Sequence, residues 1–396
     1  MLRSPYDLGP GELDRLVHEA GEPAYRARQV ARWLDRGHVA EPAAMTDLPA
    51  GLRAALAERW SGAGLRRLAH QAGDDGWTHK FLFGLADGQA VETVLMFYPP
   101  AVRHRDGPVP AGDPGPPTGG GRGRATVCIS TQAGCALGCT FCATGQFGFT
   151  RNLTVGEVVE QVARVWAAAP SLRPDARAPD HVTNVVFMGM GEPFANARAT
   201  WGAAWRLHDG FGLSARALTI STVGLVPQIR RAATEPLAVN LAVSIHAPDD
   251  ELRDRLVPLN RTWPIAELLG AVEAYVHATR RRVSFEYALL AGVNDSPAHG
   301  DALGRLLAPL RMPRGGGQAA HVNAIPFNPT PHAGFRAPSR AAARRFKDAV
   351  AAHGVPVSVR ANRGLGIDAA CGQLRTAAGR PGRTPALPLA PAGPPP

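Results

Sequence analysis

The sequence predicts an α/β fold, a full or partial α/β barrel that follows a small helical N-terminal domain. Apolar β-type runs recur along the middle of the chain, amphipathic stretches of helix length separate them, and residues 10–60 show helical periodicity. Strands joined by helix-length connections pair in parallel with right-handed crossovers. A doubly wound open sheet remains an alternative, because one sequence does not reveal the order of its strands.

The first part of the chain, residues 1–62, predicts the helical domain. Apolar positions lie three and four residues apart in PAYRARQVARWL and LPAGLRAALAERW. Residues 63–98 follow as a β-hairpin linker region. Its two β-type runs, THKFLFGLADG and QAVETVLMFY, meet around Asp87-Gly88, a pair that favours a tight primed turn.

Proline and glycine mark two further segments as unable to bury a core. These are a flexible insertion at residues 99–124 and a disordered tail at residues 377–396. Residues 125–376 lie between them and hold the predicted barrel, with chemistry expected where its strands run into loops. Its β-type runs are ATVCIS, HVTNVVFMG, ARALTIS, LAVNLAVSI, RRVSFEYALL, AHVNAIPF and VPVSVR.

Composition excludes several classes of protein. The chain has 396 residues and is 45% hydrophobic, so it is long enough for a packed core and is not a disulfide miniprotein. No apolar run approaches the ~18 residues of a membrane span, and the N-terminus lacks a secretory signal. We therefore expect a cytoplasmic protein without membrane contact, whose five cysteines serve chemistry rather than structural disulfides.

The positive charge is concentrated near the C-terminus. Residues 331–396 carry ten basic and two acidic side chains, which is +8 of the net +10. Arg336, Arg340, Arg344 and Arg345 recur at helical spacing and could form a phosphate-facing stripe. A solvated, arginine-rich helix face explains the same pattern equally well.

The most informative stretch holds three cysteines, Cys135, Cys139 and Cys142, in a C-x3-C-x2-C loop after the first barrel strand. Three thiolates in one loop can hold a [4Fe-4S] cluster and leave one iron without a protein ligand. That iron can bind the amino and carboxylate groups of S-adenosylmethionine (SAM), and electron transfer can then give a 5'-deoxyadenosyl radical. Structural zinc is the alternative, and it needs a fourth ligand such as Cys128 or Cys371.

A glycine-rich turn supports the cluster interpretation. The next β-type run leads into Gly189-Met190-Gly191-Glu192-Pro193, where backbone groups could approach the amino group of the ligand. Taken alone, such a turn could be a structural corner.

With these residues in place, the sequence resembles the RlmN family of the radical SAM superfamily, over roughly residues 20–375. The departures are the insertion, the run RANRGLG and the proline-rich tail. The resemblance implies a partial (β/α)6-type radical SAM barrel with a small helical, RNA-binding N-terminal accessory domain. The matching stretches are PAYRARQ, MTDLP, VETVLM, QAGCALGCTFCATGQFGFTRNL, MGMGEP, TISTVGLVP, SIHAP, IPFNP and IDAACGQL.

The resemblance also implies the site residues. Cys135, Cys139 and Cys142 are implied cluster ligands. Cys371 is implied as the methyl-carrying residue, Cys128 as its partner thiol and Glu92 as the general base. The residues implied to line the SAM site are Gly191, Glu192, Ser221, Ser244, Ile245, His246 and Asn328.

The implied activity is methylation of adenine C2 in 23S rRNA and in tRNA, with two SAM molecules per turnover. Because C2 is electron-poor, Cys371 would accept a methyl group from the first SAM, and a radical made from the second would activate that methyl group for addition to C2. Glu92 would remove the C2 proton, and Cys128 would release the product by forming a disulfide with Cys371. A reductant such as flavodoxin or ferredoxin is implied, and we expect a monomer.

Other functions and plainer roles stay open on the sequence. A Cfr-type enzyme that methylates adenine C8 shares the same cysteines, and a non-catalytic metal-binding RNA-binding protein would hold zinc. Outside the motif context, Cys128 would be a core residue, Glu92 a solvated hairpin charge and His246 a core histidine. Ser221, Ser244 and Asn328 would be caps.

Overall fold

The computed structural model describes residues 4–60, 64–100, 123–329, 334–360 and 367. Nearly all of the predicted insertion, the whole predicted tail and Cys371 lie outside these residues. The helices are α1 Pro10–Glu19, α2 Tyr25–Asp35, α3 Ala50–Trp60, α4 Ala143–Gln146, α5 Val155–Leu172, α6 Ala197–Asp209, α7 Val226–Ala232, α8 Asp250–Leu256, α9 Ile265–Thr279, α10 Pro297–Leu307 and α11 Arg340–Ala351. The strands are β1 Arg66–Gly73, β2 Thr78–Gly84, β3 Ala90–Tyr98, β4 Arg124–Cys128, β5 Gln132–Gly134, β6 Phe149–Asn152, β7 Asn184–Phe187, β8 Leu218–Thr222, β9 Asn240–Ser244, β10 Val283–Leu289, β11 Ala320–Pro326 and β12 Val357–Val359.

The main sheet confirms the predicted partial barrel. All seven predicted runs form strands, and they pair in parallel in the order β4-β7-β8-β9-β10-β11-β12. A doubly wound sheet requires the strand order to reverse at a switch point, and this order never reverses. The open-sheet alternative is therefore wrong.

The hairpin extends this sheet instead of standing apart from it. Strands β2 and β3 pair antiparallel as the sequence predicts, β3 pairs with β4, and β1 adds an exposed edge strand that the sequence analysis missed. The predicted primed turn is wrong. A type I′ turn needs two residues with a positive φ, but among the turn residues 85–89 only Gly88 has one (83°). Leu85 N–H donates to Gln89 O at 2.7 Å, so a three-residue loop with glycine in the left-handed region closes the hairpin.

The register divides the sheet into two faces. Cross-strand partners share a face, and so do residues two apart on one strand. One face carries the polar side chains Lys80, Glu92, Cys128, Ser221, Ser244, Glu286, Asn323 and Ser358. The other face is apolar and packs under the helices; Tyr287, for example, stacks against Phe346 of α11, with ring centroids 4.8 Å apart. The face that carries the polar side chains therefore turns toward the barrel interior, where Ser221, Ser244 and Glu286 line one cavity.

The N-terminal helices are fastened to the barrel through buried polar contacts. Ser4 Oγ donates to Glu160 Oε2 at 2.7 Å, and Leu65 N–H donates to Glu160 Oε1 at 2.9 Å. Arg206 of α6 donates to the carbonyl oxygens of Tyr6 and Leu8, each at 2.8 Å. Within the described part of the chain, no helix is long and apolar enough to cross a membrane.

Candidate active site

The three cysteines of the loop lie between the end of β4 and α4, braced from two sides. Cys135 N–H donates to Gly148 O at 2.8 Å, and Thr140 N–H donates to Leu256 O at 3.1 Å. The hydrogen bond between Cys135 and Gly148 continues the pairing of β5 with β6, a pair of strands that the sequence analysis did not predict. Gly134 is required in it, because its φ is +84° and a Cβ there would lie 2.0 Å from Gly148 O. The loop is thus held in one conformation by backbone contacts.

The cysteines of this loop are buried or half-buried, and their thiols are close enough to influence one another. Burial raises the pKa of Cys135 to about 11 and also raises the pKa of Cys139 and Cys142. Cys142 contributes to the raised pKa of both Cys135 and Cys139. Bringing three such groups together without a cation favours their protonated forms, so a bound iron cluster would displace the protons.

The donor set fits a [4Fe-4S] cluster. In a cubane each thiolate binds a different iron, so the sulfurs must be neighbours without converging on one point. Among the residues with described positions, no three or more His, Cys, Asp or Glu side chains are arranged to hold a single metal ion. The three thiols lie on one loop, and two of them line the same cavity, so the sulfurs are neighbours as a cluster requires.

That cavity lies at the carboxyl ends of the parallel strands and encloses about 910 Å³, part of it open to solvent. The structure brings most of the predicted cluster and SAM-site residues onto its wall. They are Cys139, Cys142, Gly191, Glu192, Ser221, Ser244, His246 and Asn328.

Four predicted residues of the described chain lie outside this lining set. Cys135 lies on the same loop but does not line the cavity, and Ile245 is fully buried, with its backbone N–H donating to Glu286 O at 3.0 Å. Glu92 and Cys128 belong to β3 and β4.

The glycine-rich turn after β7 seats Glu192 deep in the wall. Gly191 has a φ of +98°, and a Cβ there would lie 2.5 Å from Gln132 Cβ, so the turn needs glycine. The Glu192 carboxylate accepts hydrogen bonds from the N–H groups of Phe194 and Val223, each at 3.0 Å. Burial nevertheless raises the pKa of Glu192 to about 7. The carboxylate thereby joins the turn after β7 to the turn after β8.

His246 is held as a neutral imidazole. Its Nδ1 accepts a hydrogen bond from Ala288 N–H at 3.0 Å, which leaves the proton on Nε2. Burial and the nearby Arg253 lower the pKa of His246 to about 3. Its backbone adopts a φ of +58°, an unusual value for a residue other than glycine and one that is common at functional sites.

Arg253 of α8 is a positioning residue that the sequence analysis missed. Its side chain is buried and donates to the carbonyl oxygens of Val223 at 2.6 Å and Ile245 at 3.0 Å. It therefore fixes the ends of β8 and β9, which carry the two serines predicted for the SAM site. Nothing in the run DELRDRL distinguishes this arginine from its exposed neighbours.

Glu92 is buried, so the interpretation as a solvated hairpin charge is wrong. It is 4% exposed, and Lys80 Nζ lies 3.6 Å from its Oε1. Ser130 Oγ donates to Glu92 O at 2.6 Å and accepts from Met190 N–H at 2.9 Å, which couples β3 to the glycine-rich turn. By register, Glu92 and Cys128 share the polar face of the sheet with the serines of the cavity.

A second missed residue, Glu286 of β10, lies on the cavity wall. Asn323 Nδ2 donates to its Oε1 at 2.8 Å, and Ser358 Oγ donates to Asn323 Oδ1 at 2.9 Å. One feature of the sequence could have identified Glu286 as a buried site residue: it is a charged residue between two apolar ones in the predicted strand RRVSFEYALL. Alternation places it on the same face as Ser284 and not with Phe285.

Comparison with known proteins agrees with this geometry. The radical SAM superfamily matches residues 129–301, and the ribosomal RNA large subunit methyltransferase N-terminal domain matches residues 6–61. A protein of Chloroflexus aurantiacus described as a probable dual-specificity RNA methyltransferase RlmN is 48% identical over 94% of this chain and 92% of its own length. One of Acidothermus cellulolyticus with the same description is 46% identical over 96% of this chain and 87% of its own.

A solved structure extends the match to three dimensions. The crystal structure of a radical SAM methyltransferase from Sphaerobacter thermophilus has a TM-score of 0.80 and 47% sequence identity, and the alignment covers 94% of this chain and 99% of that one. At such identity over nearly the whole length, fold and family are shared. The chain belongs to the RlmN family of radical SAM RNA methyltransferases.

Proposed function

We propose that this enzyme methylates C2 of adenine in 23S rRNA and in tRNA. The observation that carries the proposal is the cavity in which two of the loop cysteines, the glycine-rich turn and the predicted serines, histidine and asparagine meet. The relatives described as dual-specificity RNA methyltransferases support RNA of two kinds as substrate. The choice of C2 and the two RNA classes rest on the motif resemblance.

Cys135, Cys139 and Cys142 would hold the [4Fe-4S] cluster, and the turn through Gly191 and Glu192 would receive the amino end of SAM. With both groups bound, the site supplies a 5'-deoxyadenosyl radical. Two SAM molecules are consumed per turnover, one as methyl donor and one as radical source. A protein reductant such as flavodoxin or ferredoxin supplies electrons.

Three protein groups then handle the methyl carbon and the proton. The Cys371 thiolate displaces the sulfonium of one SAM and keeps its methyl group, and S-adenosylhomocysteine leaves. With one hydrogen atom of that methyl group lost to the 5'-deoxyadenosyl radical, the carbon would bond to adenine C2 while it stays on the Cys371 sulfur, and the unpaired electron of the adduct would return to the cluster. Glu92 accepts the proton that leaves C2. The Cys128 thiolate then attacks the Cys371 sulfur, which forms an S–S bond and breaks the sulfur–carbon bond, and the freed carbon takes up a proton as the new methyl group of the RNA. The burial of Cys128 at the end of β4 and its shared face with Glu92 support these assignments.

Lys80 gives Glu92 the environment that a base needs. An ammonium group 3.6 Å away stabilises a buried carboxylate in its ionised, proton-accepting form. When Glu92 takes the proton from C2, its own charge is neutralised and the Lys80 ammonium stays beside it.

The arginines near the cavity suit an RNA backbone. The segment before α11 lies at the mouth, since Phe335 packs on the cavity residue Phe327 and Ala291 N–H donates to Arg336 O at 2.9 Å. Exposed arginines follow in this segment and in the first half of α11, and none of them forms an ion pair within the described chain. The row that they form comprises Arg336, Arg340, Arg344 and Arg345. We assign it to phosphates that flank the target adenine, with the helical domain of residues 1–62 as a further RNA contact.

The test is mass spectrometry of the methylated nucleosides. Purified, anaerobically reconstituted enzyme is incubated with SAM, a reductant and unmodified 23S rRNA or tRNA fragments, and the digested RNA is analysed. The proposal predicts 2-methyladenine in both RNAs. Formation of 8-methyladenine would instead assign a Cfr-type activity, and methylation of one RNA only would remove the dual specificity.

A further inference from the structure

We propose that Glu286 makes the cavity selective for the positively charged sulfonium form of its ligand, so that SAM binds in preference to its neutral thioether product. Nothing in the resemblance assigns a role to this residue. The inference rests on the proposed use of SAM at this cavity.

The first observation is an unmatched carboxylate oxygen. Glu286 is 5% exposed and lies on the cavity wall. Its Oε1 accepts from Asn323, whereas its Oε2 is buried without a hydrogen-bond partner among the residues that the structure describes. A buried carboxylate in this condition is costly unless a ligand supplies a positive charge or a donor.

The second observation is the charge of the whole wall. Its ionisable groups are two carboxylates, two thiols and the neutral His246, and no lysine or arginine belongs to the described lining. Arg253 stands behind the wall, where its guanidinium is committed to backbone carbonyls and to Asn260. The second carboxylate, Glu192, is already satisfied by two backbone N–H groups. Glu286 is therefore the wall's principal uncompensated charge.

The two forms of the cofactor differ in the charge that this carboxylate senses. SAM and S-adenosylhomocysteine share the adenine, the ribose and the amino acid groups, but only SAM carries a positive sulfur. A buried anion such as the Glu286 carboxylate attracts that charge more strongly than an exposed one does, and the attraction disappears when the methyl group is transferred. Glu286 would thus favour entry of the substrate and departure of the product.

The experiment compares the Kd of the two ligands by equilibrium dialysis. It uses unreduced holoenzyme that carries Cys371→Ala in every variant, so that no methyl group is transferred during the measurement. Glu286→Gln keeps an acceptor for Asn323 and removes only the charge. It should weaken SAM binding on the order of tenfold while S-adenosylhomocysteine binding changes less than about twofold.

Two further variants make the result specific. Glu286→Asp keeps the charge and should retain the preference for SAM, and Ser244→Ala, a neutral change beside Glu286 in the register, should weaken both ligands by the same factor. Equal loss of both ligands in Glu286→Gln, or no loss of either, overturns the inference. Failure of the parent protein to bind SAM at all would instead overturn the proposed function.

Discussion

At the scale of single residues, the site depends on buried charges that are matched by specific partners. Lys80 faces Glu92, Arg253 holds the ends of two strands, and backbone N–H groups satisfy Glu192. Each of these contacts fixes a group that the chemistry needs in one protonation state or one place.

Replacing Lys80 tests its role beside the base. Lys80→Met leaves the buried Glu92 carboxylate without the cation that lies 3.6 Å away, so the single-turnover rate of methylation should fall on the order of tenfold or more. Lys80→Arg retains the charge and should recover most of that rate. Equal loss of rate in both variants would show a merely structural role.

The divided roles of the two remaining cysteines predict different covalent products. Cys128→Ala cannot break the bond between Cys371 and RNA, so a protein–RNA adduct should accumulate under turnover conditions. Cys371→Ala cannot carry the methyl group and should form none. Denaturing gels with labelled RNA distinguish the two, and similar adduct levels in both variants would refute the assignment.

The sequence identifies the site residues that belong to short motifs, but it does not identify those whose contacts form only in the folded chain. The cysteine spacing predicts an iron–sulfur cluster, because three cysteines within eight residues are seldom found for any purpose other than metal binding. Arg253 carries no local signal, and Glu286 has only its place on an alternating strand, because the partners of both residues come from other elements and become neighbours only after folding. Burial of Glu92 was likewise invisible, since it depends on β3 lying inside the sheet.

At the scale of elements, the strands were predictable and the turns were not. Continuous apolar runs identify buried parallel strands directly, and all seven formed. Strand β1 was missed because its residues are exposed and lack apolar alternation, as in RRLAHQAG. The hairpin turn was misjudged because Asp-Gly fits both a primed turn and a loop with a single left-handed glycine.

The turn after β7 yields a prediction about glycine. Gly191→Ala would introduce a Cβ at a φ of +98° and 2.5 Å from Gln132, so it should destabilise the fold by about 1–3 kcal/mol and weaken SAM binding. Differential scanning calorimetry and equilibrium dialysis measure the two effects. Gly270→Ala on α9 is the matched control, because a Cβ there meets nothing within 4 Å and should stabilise the helix slightly. Equal behaviour of the two variants would contradict this account of the turn.

At the scale of the whole molecule, the proposed cofactor cavity and the exposed arginines from Arg336 to Arg345 are linked by one segment of chain. Phe335, next to Arg336, packs on the cavity residue Phe327, and α11 with the other three arginines follows. Sequence reasoning could count these charges but could not separate a binding face from a solvated one. Their place beside the cavity now favours RNA.

Salt dependence tests that assignment. Arg340→Ala combined with Arg344→Ala should lower RNA affinity and reduce the slope of log K against log salt by about 0.7–0.9 for each lost phosphate contact. Replacement of the same pair by lysine should restore much of the slope. The control pair, Arg230 and Arg231, is exposed at the end of α7 that precedes β9, away from the cavity. An unchanged slope in the α11 variant would mark the row as a solvated helix face.

The central claim is that three cysteines hold an iron–sulfur cluster whose remaining iron is free to bind SAM. The most direct measurement is electron paramagnetic resonance of the anaerobically reconstituted, reduced protein, recorded with and without SAM and accompanied by iron and zinc analysis. The account predicts about four irons per chain, little zinc and a [4Fe-4S]⁺ signal whose shape changes when SAM is added. Bound zinc without iron, or a cluster signal that SAM leaves unchanged, would contradict it.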